Sequence, residues 1–441
     1  MVGIKFIHTA DIHLGSLLHI GGGKLPPAVE QAAVTATMEG FSRVCHAAIK
    51  NRVDFVVISG DLYDREARSV RAMSFFAEKC RLLEEAGIPV LVIAGNHDPL
   101  KEKQDLIRVP DNVKVLSGDR PEIVEIPGSK GDPIARVIGQ SYQSGSLDKG
   151  IHYDYKVPDR DLWNIALLHT QLEAPSSRYI PCSLTQLREI PDIHYWALGH
   201  IHRYRDFSDD LPYIAYPGIP QGRDFGETGR GGCILANLDP FGQSQTSFIP
   251  LAPVIYKRVE INIDDDPTNV PGTLLDLVDR ICLEGDRLLE ETGDDEDYPI
   301  EGYVVEWTIR GRGAIHSQLM EQEQESMEFL LNSLREQYEG SSPFLWTDSI
   351  IIRTQSPIDY IDLLENSPVF REVDRIIDQC LEDEDMRERL MDELGIIWKG
   401  DGDHETENDL RFHMDDASLR EILYRARYLI AERLTGRGEG S

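Results

Sequence analysis

The sequence lacks several features that would point to particular classes of protein. It has six cysteines in 441 residues and no C-x-x-C pair, which argues against a disulfide framework or a zinc knuckle. No run of about 18 apolar residues occurs, so no transmembrane helix is expected. The N-terminal residues lack the long apolar segment of a secretory signal. We therefore expect a folded cytoplasmic protein whose cysteines are reduced and buried.

Basic residues are also scarce. The chain has 45 Lys and Arg against 77 Asp and Glu, a formal net charge of -32. A protein that holds nucleic acid by its overall field would be basic. Binding of a polyanion would therefore depend on local patches, on metal ions or on a partner. Salt adaptation and solubility are alternative explanations of the acidic excess.

The first half of the chain alternates between strand and helix patterns. Continuous apolar runs at 4–9, 54–59 and 89–94 predict buried strands, and helical spacing covers 26–50 and 67–86. This alternation is typical of α/β proteins. Seven shorter strands are predicted from there to residue 237, and their number suggests that the sheet doubles into a sandwich.

Three domains are predicted from changes in this pattern. Two prolines interrupt the periodicity at 250–253, which marks a boundary. A βαβαβ pattern follows, including one helix predicted at 317–337, and helical spacing prevails from about residue 356. The predicted domains are therefore 1–253, a small α+β capping domain at 254–355, and a helical region at 356–441.

The terminal segment 418–434 places apolar side chains on one stripe of a helix. Two interpretations stay open: the stripe packs on its own domain, or it docks on a partner helix.

Five short motifs in the first half carry candidate metal ligands. They are HTADIHLG at 8–15, GDLYD at 60–64, GNHD at 95–98, the isolated His169, and GHIH at 199–202. Nearly every Asp, Asn or His in them follows the end of a predicted strand, where open α/β sheets place their sites. No G-x-x-x-x-G-K-[ST] loop competes with them, because residues 21–24 (GGGK) lack that spacing.

These residue types fit the hydrolysis of phosphoesters. Two metal ions about 3.5–4 Å apart activate a water and neutralise the attacked phosphoryl group. Imidazole and carboxylate ligands suit Mn, Fe or Zn. Asp61 follows Gly60, which permits close backbone approach, and we expect Asp61 to bridge the two ions.

The motifs resemble those of calcineurin-like metallophosphoesterases. The extended forms at 8–15 and 60–64 resemble the Mre11/SbcD nuclease branch. The segments YPGIPQGR at 216–223, ETG at 227–229 and GGC at 231–233 are similar to a YhaO-like bacterial subgroup of DNA repair exonucleases. The resemblance covers roughly residues 1–255. It implies a four-layer α/β/β/α sandwich with a small capping domain and C-terminal helices.

The resemblance also implies roles for individual residues. One metal would take Asp11, His13, Asp61 and His202, and the other Asp61, Asn96, His169 and His200. His97 would act as a general acid, with Asp98 holding it in place. His8 and Asp64 would contact the metal-binding side chains without binding the metal themselves. A purely structural role for His8 is an open alternative. Some archaeal relatives carry His where this chain has Asp64.

The activity implied is a metal-dependent DNA nuclease, a 3'–5' exonuclease, a single-strand endonuclease or both. It would use two divalent ions, for which Mn²⁺ is the first choice and Mg²⁺, Fe²⁺ and Zn²⁺ are alternatives. Family members act with a Rad50/SbcC-like ATPase, and a homodimer is expected. Four arginines near the motifs are candidates for phosphate contacts: Arg178, Arg203, Arg223 and Arg230. The alternatives are a metallophosphatase or phosphodiesterase acting on nucleotides, and a non-catalytic scaffold.

Overall fold

The structure is a computed structural model of the chain. It describes residues 1–64, 69–100, 108–146, 151–174, 177–207, 211–241, 244–266, 268–290, 297–357, 360–383, 385–387, 389–390 and 416–435.

Most strands of the described chain belong to two six-stranded sheets. The strands in chain order are β1 (Ile4–Thr9), β2 (Phe55–Ser59), β3 (Val90–Ile93), β4 (Val113–Val115), β5 (Glu122–Pro127), β6 (Pro133–Gly139), β7 (Trp163–His169), β8 (Tyr195–Gly199), β9 (Tyr204–Asp206), β10 (Tyr213–Pro217), β11 (Gly232–Leu238), β12 (Gln245–Pro250), β13 (Val254–Asn262), β14 (Gly302–Arg312) and β15 (Phe344–Gln355).

The first sheet has the order β12-β11-β1-β2-β3-β4, and the second has the order β5-β6-β7-β8-β10-β9. Strands β1, β2 and β3 pair in parallel, as do β7 and β8. The central strands β2, β3, β7 and β8 are buried along their whole length. This explains their continuous apolar runs, because both faces of each strand are covered.

The described residues also form helices. In chain order they are α1 (Pro27–Asn51), α2 (Val70–Glu85), α3 (Leu184–Glu189), α4 (Leu274–Glu290), α5 (Ile315–Glu321), α6 (Glu323–Gln337), α7 (Tyr360–Asn366), α8 (Pro368–Glu382) and α9 (Asp416–Thr435). A 3-10 turn covers Ile151–Asp154.

Three apolar layers separate the helices and the sheets. One joins α1 and α2 to the first sheet, with Phe41 and Phe76 stacked. The second lies between the sheets and includes Phe6 and Leu167. The third covers the outer face of the second sheet beneath α3, around Trp196. The predicted four-layer α/β/β/α sandwich is confirmed.

The described chain divides into two compact units. The first comprises Met1–Ile261, Val278–Thr308 and Met327–Ile351, and the second Asn262–Leu277, Ile309–Ser326 and Ile352–Ser441. The predicted domain 1–253 lies in the first unit and 356–441 in the second. Strands β13, β14 and β15 form a separate three-stranded sheet. The three-domain division stays a prediction.

Several local predictions were wrong or incomplete. The single helix predicted at 317–337 is two helices, because Gln322 leaves helical geometry (φ -132°, ψ 56°). The strands β9 and β12 were not predicted because they are short or partly exposed and carry polar residues. The helix α3 was also missed, although Ser183 and Gln186 form a capping box at its start.

The terminal helix α9 packs within its own unit. Leu419 and Leu423 join an apolar cluster on α8, and Ala431 contacts Phe370. Ile422 and Leu429 remain exposed. The helical spacing predicted from about residue 356 is matched by α7, α8 and α9, while 358–359, 384, 388, 391–415 and 436–441 lie outside the described residues. In the described part of the chain, no helix combines the length and hydropathy that crossing a membrane requires.

Candidate metal centre

The candidate ligands gather where strands of both sheets end. Asp11 follows β1, Asp61 follows β2 and Asn96 follows β3, and these three strands are parallel neighbours. His169 ends β7 and His200 follows β8, the parallel pair of the other sheet. Parallel strands end at the same edge of a sheet, so the sequence order of the motifs becomes a spatial cluster.

The backbone at this edge is strained at the candidate ligands. Asp11, His13, Asp61 and His200 have positive φ angles of 51°, 46°, 52° and 98°. Residues other than glycine rarely adopt this region, and such strain collects at functional sites. Gly60 (φ 97°) has no substitute, because a Cβ there would lie 2.3 Å from the His169 Nδ1 atom.

The first group of ligand atoms contains Asp11, His13 and His202. The His13 Nδ1–H donates to Asp64 Oδ1 (2.8 Å), and the His202 Nδ1–H donates to Glu227 Oε1 (2.5 Å). Both carboxylates can only accept, so each neutral ring presents a lone pair at Nε2. These two Nε2 atoms lie 3.3 Å apart. Two converging lone pairs repel each other unless a cation or a proton lies between them.

The second group contains Asp61, His169 and His200, with Asn96 beside them. The His169 Nδ1–H donates to the Ser59 carbonyl (2.9 Å), so in the neutral ring, as in a metal complex, Nε2 carries the lone pair. That Nε2 lies 2.8 Å from Asn96 Oδ1 and 3.3 Å from Asp61 Oδ2. His200 Nδ1 lies 3.1 Å from the same Asn96 oxygen. Acceptor atoms again converge on one point.

The pKa values of the two histidines of this group shift in opposite directions. Burial lowers the pKa of His200 to about 3, so its ring is neutral and can bind a metal. Burial also opposes charge on His169, but the Asp61 and Asp11 carboxylates outweigh it and raise the pKa of His169 to about 9. A bound cation would replace the proton that these carboxylates attract. The donor set therefore fits a dinuclear metal site.

His97 stands at the exposed edge of the cluster, and its partner differs from the predicted one. The His97 Nδ1 atom lies 2.9 Å from Asp64 Oδ1. Asp98 instead accepts from the backbone N–H groups of Leu62 (3.0 Å) and Gly95 (2.7 Å), and so fixes the two loops. The expectation that Asp98 holds His97 rested on sequence adjacency, which places successive side chains in different directions.

Asp64 is the hub of this region. Besides the two histidines, it accepts from Ser16 Oγ (2.5 Å) and Arg223 Nη1 (2.8 Å). Burial alone would raise the pKa of Asp64, but the hydrogen bonds from His13 and His97 hold it well below its usual range. The hydrogen bond to this carboxylate raises the pKa of His97. The His97 ring therefore keeps its proton more readily than a free histidine does.

Arg223 and Glu227 form a second support that sequence reasoning missed. The Arg223 Nη2 donates to Glu227 Oε1 (2.9 Å), which also accepts from His202, and Arg223 Nη1 binds Asp64. Arg223 thus joins the carboxylates that hold His13 and His202, the two histidines of the first group. The available signal was the four-residue spacing of Arg223 and Glu227 in the segments already noted at 216–229.

The other three candidate arginines differ in setting. Arg178 and Arg203 are exposed, and Arg203 lines a cavity beside His202. Arg230 lines the same cavity, and its Nη2 donates to the Tyr298 carbonyl. A phosphate contact of any of the four arginines stays a prediction, and for Arg223 the two carboxylates already occupy the guanidinium.

His8 takes the structural role. Its Nδ1 lies 3.1 Å from the Tyr195 hydroxyl and its Nε2 lies 3.0 Å from the Leu198 carbonyl. Burial lowers the pKa of His8 to about 3. Both ring nitrogens are therefore used between the two sheets, and His8 does not support a ligand side chain directly. Ile201 packs against the core under the second sheet, which leaves His200 and His202 to face the site.

Comparisons with known proteins agree with this geometry. Residues 4–204 match the family model of the calcineurin-like phosphoesterases. The metallophosphoesterase YhaO of Bacillus subtilis is 28% identical over 349 residues, which is 78% of this chain and 81% of that protein. The DNA double-strand break repair protein Mre11 of Archaeoglobus fulgidus is 25% identical over 52% of each chain.

The SbcD component of the nuclease SbcCD from Staphylococcus epidermidis is 25% identical over 57% of this chain and 70% of that protein. The chain therefore spans about half the length of the archaeal Mre11 protein it matches, and more of the bacterial relatives. Among solved structures, TT1561 of Thermus thermophilus is 12% identical with a TM-score of 0.33, over 56% of this chain and 98% of that one. This last likeness is too distant to carry an argument.

The motifs, the ligand geometry and the matched family model agree. Residues 4–204 therefore form a calcineurin-like metallophosphoesterase domain, and the relatives of the chain include YhaO, Mre11 and the SbcD nuclease component.

Proposed function

We propose that this protein is a metal-dependent phosphodiesterase that hydrolyses DNA, as a 3'–5' exonuclease or a single-strand endonuclease. The observation that carries the proposal is the position of His97. Its ring is about half exposed beside two groups of converging ligand atoms and is held by Asp64. A phosphate between the metals would therefore have a positioned proton donor.

The ligand assignment follows the two groups. Asp11, His13, Asp61 and His202 would hold one ion, and Asp61, Asn96, His169 and His200 the other. Divalent ions, of which we propose Mn²⁺, would supply an activated water and neutralise charge on the phosphoryl oxygens.

His97 would assist the departure of the leaving group. Asp64 occupies its Nδ1 atom, which leaves Nε2 as the ring nitrogen that can face a substrate. Because Asp64 raises the pKa of His97, the ring can hold a proton near neutral pH and give it to the departing 3' oxygen. Asp64 acts on this step through His97 and not on the substrate.

The relatives supply the choice of substrate. Mre11 is named as a DNA double-strand break repair protein and SbcD as part of a nuclease. By analogy we propose a role in DNA repair or defence, in the cytoplasm, as a homodimer with a Rad50/SbcC-like ATPase. The exposed Ile422 and Leu429 of α9 offer an apolar surface for such a partner. Purification of the tagged protein from its host, followed by mass spectrometry, tests the partnership.

The decisive experiment compares substrates. With Mn²⁺, the purified protein should degrade a 3'-labelled oligonucleotide, and Asp61→Asn or His97→Ala should abolish this while circular dichroism shows an intact fold. Metal-dependent DNA hydrolysis that survives both changes would contradict the assignment.

The same assay separates the alternatives. A clear preference for mononucleotides or cyclic nucleotides over DNA would favour a nucleotide phosphatase or phosphodiesterase. Absence of bound metal by elemental analysis, together with absence of metal-dependent activity, would favour a scaffold.

A further inference from the structure

A small cavity opens next to His202. Its volume is about 180 Å³. Its wall includes His202, Arg203, Tyr204, Arg230 and Phe248. Because His202 belongs to the candidate metal centre, the cavity lies beside the place where a phosphate would be cleaved.

One wall of the cavity is aromatic. The rings of Tyr204 and Phe248 lie with their centroids 4.7 Å apart and their planes at 37°. Tyr204 is 41% exposed. Exposed aromatic rings in a cationic groove are the platforms on which unpaired bases stack.

The backbone fixes the position of Tyr204. Its strand β9 pairs with β10, which ends just before Gly218. Gly218 has φ 73°, and a Cβ there would lie 2.8 Å from the Tyr204 backbone nitrogen. A larger residue at this position would therefore displace the strand that carries Tyr204.

Two arginines line the cavity. Arg203 is exposed next to His202 in the sequence, and Arg230 lies in the same wall. Glu227 also lines the cavity, but its carboxylate is already bound by Arg223 and His202. In a protein of net charge -32, two arginines beside the site give an anionic backbone a local point of attachment.

We propose that this cavity receives an unpaired nucleobase adjacent to the scissile phosphate, with the base stacked on Tyr204 and the neighbouring phosphate next to Arg203. This inference rests on the proposed nuclease function and names its substrate more closely. A base can enter only if it is unstacked from its own strand. The site would therefore favour single-stranded ends over intact duplex.

The test measures binding and cleavage separately. The affinity for a fluorescein-labelled oligothymidylate is measured by fluorescence anisotropy in EDTA, which removes the metals. Tyr204→Ala should weaken it about 5- to 150-fold, the range expected for one stacked base. Tyr204→Phe should bind like the wild type, because it keeps the ring. The matched control is Tyr153→Ala, since Tyr153 is 53% exposed outside the cavity, and it should not change the affinity.

An oligonucleotide with abasic residues tests the same contact without a change in the protein, because it has no base to stack on Tyr204. It should bind wild type and Tyr204→Ala equally. Hydrolysis of bis(p-nitrophenyl) phosphate, which has no base, should be the same in both proteins. Equal oligothymidylate affinity of wild type and Tyr204→Ala, or no affinity in the wild type, would overturn the subsite. Binding that depends on Tyr204 without any DNA cleavage would instead overturn the proposed nuclease function and leave the base site standing.

Discussion

The hydrogen bond from His202 to Glu227 leads to a specific prediction about the affinity of the protein for metal ions. Glu227 is nearly buried, accepts from His202 Nδ1 at 2.5 Å and binds Arg223 through both of its oxygens. Burial alone would raise the pKa of Glu227, but these two partners hold it well below its usual range. The carboxylate is therefore ionised, fixes the tautomer of His202 and increases the basicity of the facing Nε2.

In Glu227→Gln the shape is kept and the charge is lost. Removal of such a partner behind a metal ligand weakens metal binding about 10- to 100-fold, which corresponds to ~1.4–2.7 kcal/mol. The assay is isothermal titration calorimetry of the EDTA-treated protein with Mn²⁺, supported by elemental analysis. The stability of the metal-free protein, measured by thermal unfolding in EDTA, separates this loss from the cost of leaving Arg223 with one carboxylate.

Glu39→Gln is the matched control. Glu39 also accepts from an arginine, Arg43, at 2.9 Å, but its side chain is 42% exposed and it is not a partner of His13 or His202. Its replacement should leave Mn²⁺ affinity unchanged. If Glu227→Gln binds Mn²⁺ as tightly as the wild type, the His202–Glu227 contact does not tune the centre and this reasoning fails.

Three further predictions concern the leaving group, acid stability and the core. His97→Ala should lower kcat for DNA about 10²- to 10⁴-fold but affect bis(p-nitrophenyl) phosphate much less, because nitrophenolate leaves without a proton; equal losses would exclude the acid role. Burial lowers the pKa of His194 to about 4, so its neutral form is favoured in the folded state. Unfolding free energy should therefore fall as pH drops from about 6.5 to 4, by up to ~1.4 kcal/mol per pH unit, and His194→Gln should flatten that slope in urea titrations. Leu167 is fully buried between the sheets, so Leu167→Ala should lower the free energy of unfolding in urea by about 2–5 kcal/mol. Leu275 is exposed, so Leu275→Ala should change that free energy by no more than about 0.5 kcal/mol.

The sequence predicted the strands and the positions of the ligands at their ends, because buried parallel strands have an unambiguous apolar pattern. It could not predict which side chains meet across loops. Asp64 and Arg223 are 159 residues apart, and no local pattern indicates that they pair. The same limit explains the wrong partner for His97, since adjacency favoured Asp98 while the loop geometry selected Asp64.

Short edge strands could not be predicted from the sequence either. β9 has only three residues, all exposed, so it has no alternation to detect. Yet this strand carries Tyr204, and the cavity beside the metal centre depends on it. The strand on which the proposed base site depends is thus the one with the weakest sequence signal.

The two groups of ligands have a mechanical consequence. Asp11, Asp61 and Asn96 follow strands of one sheet, and His169, His200 and His202 lie at the ends of strands of the other. Metal ions bound here would therefore cross-link the two sheets at one edge. A metal ion bound by both His13 and His202 would link residues that are 189 positions apart in the chain, and so close a long loop as a disulfide does. Chelation should then loosen this edge first, with amide hydrogen exchange rising at the ends of β1, β2, β7 and β8 before the opposite edge responds. The same turns would then serve the reaction and also join the two sheets at this edge, in addition to the apolar layer between them.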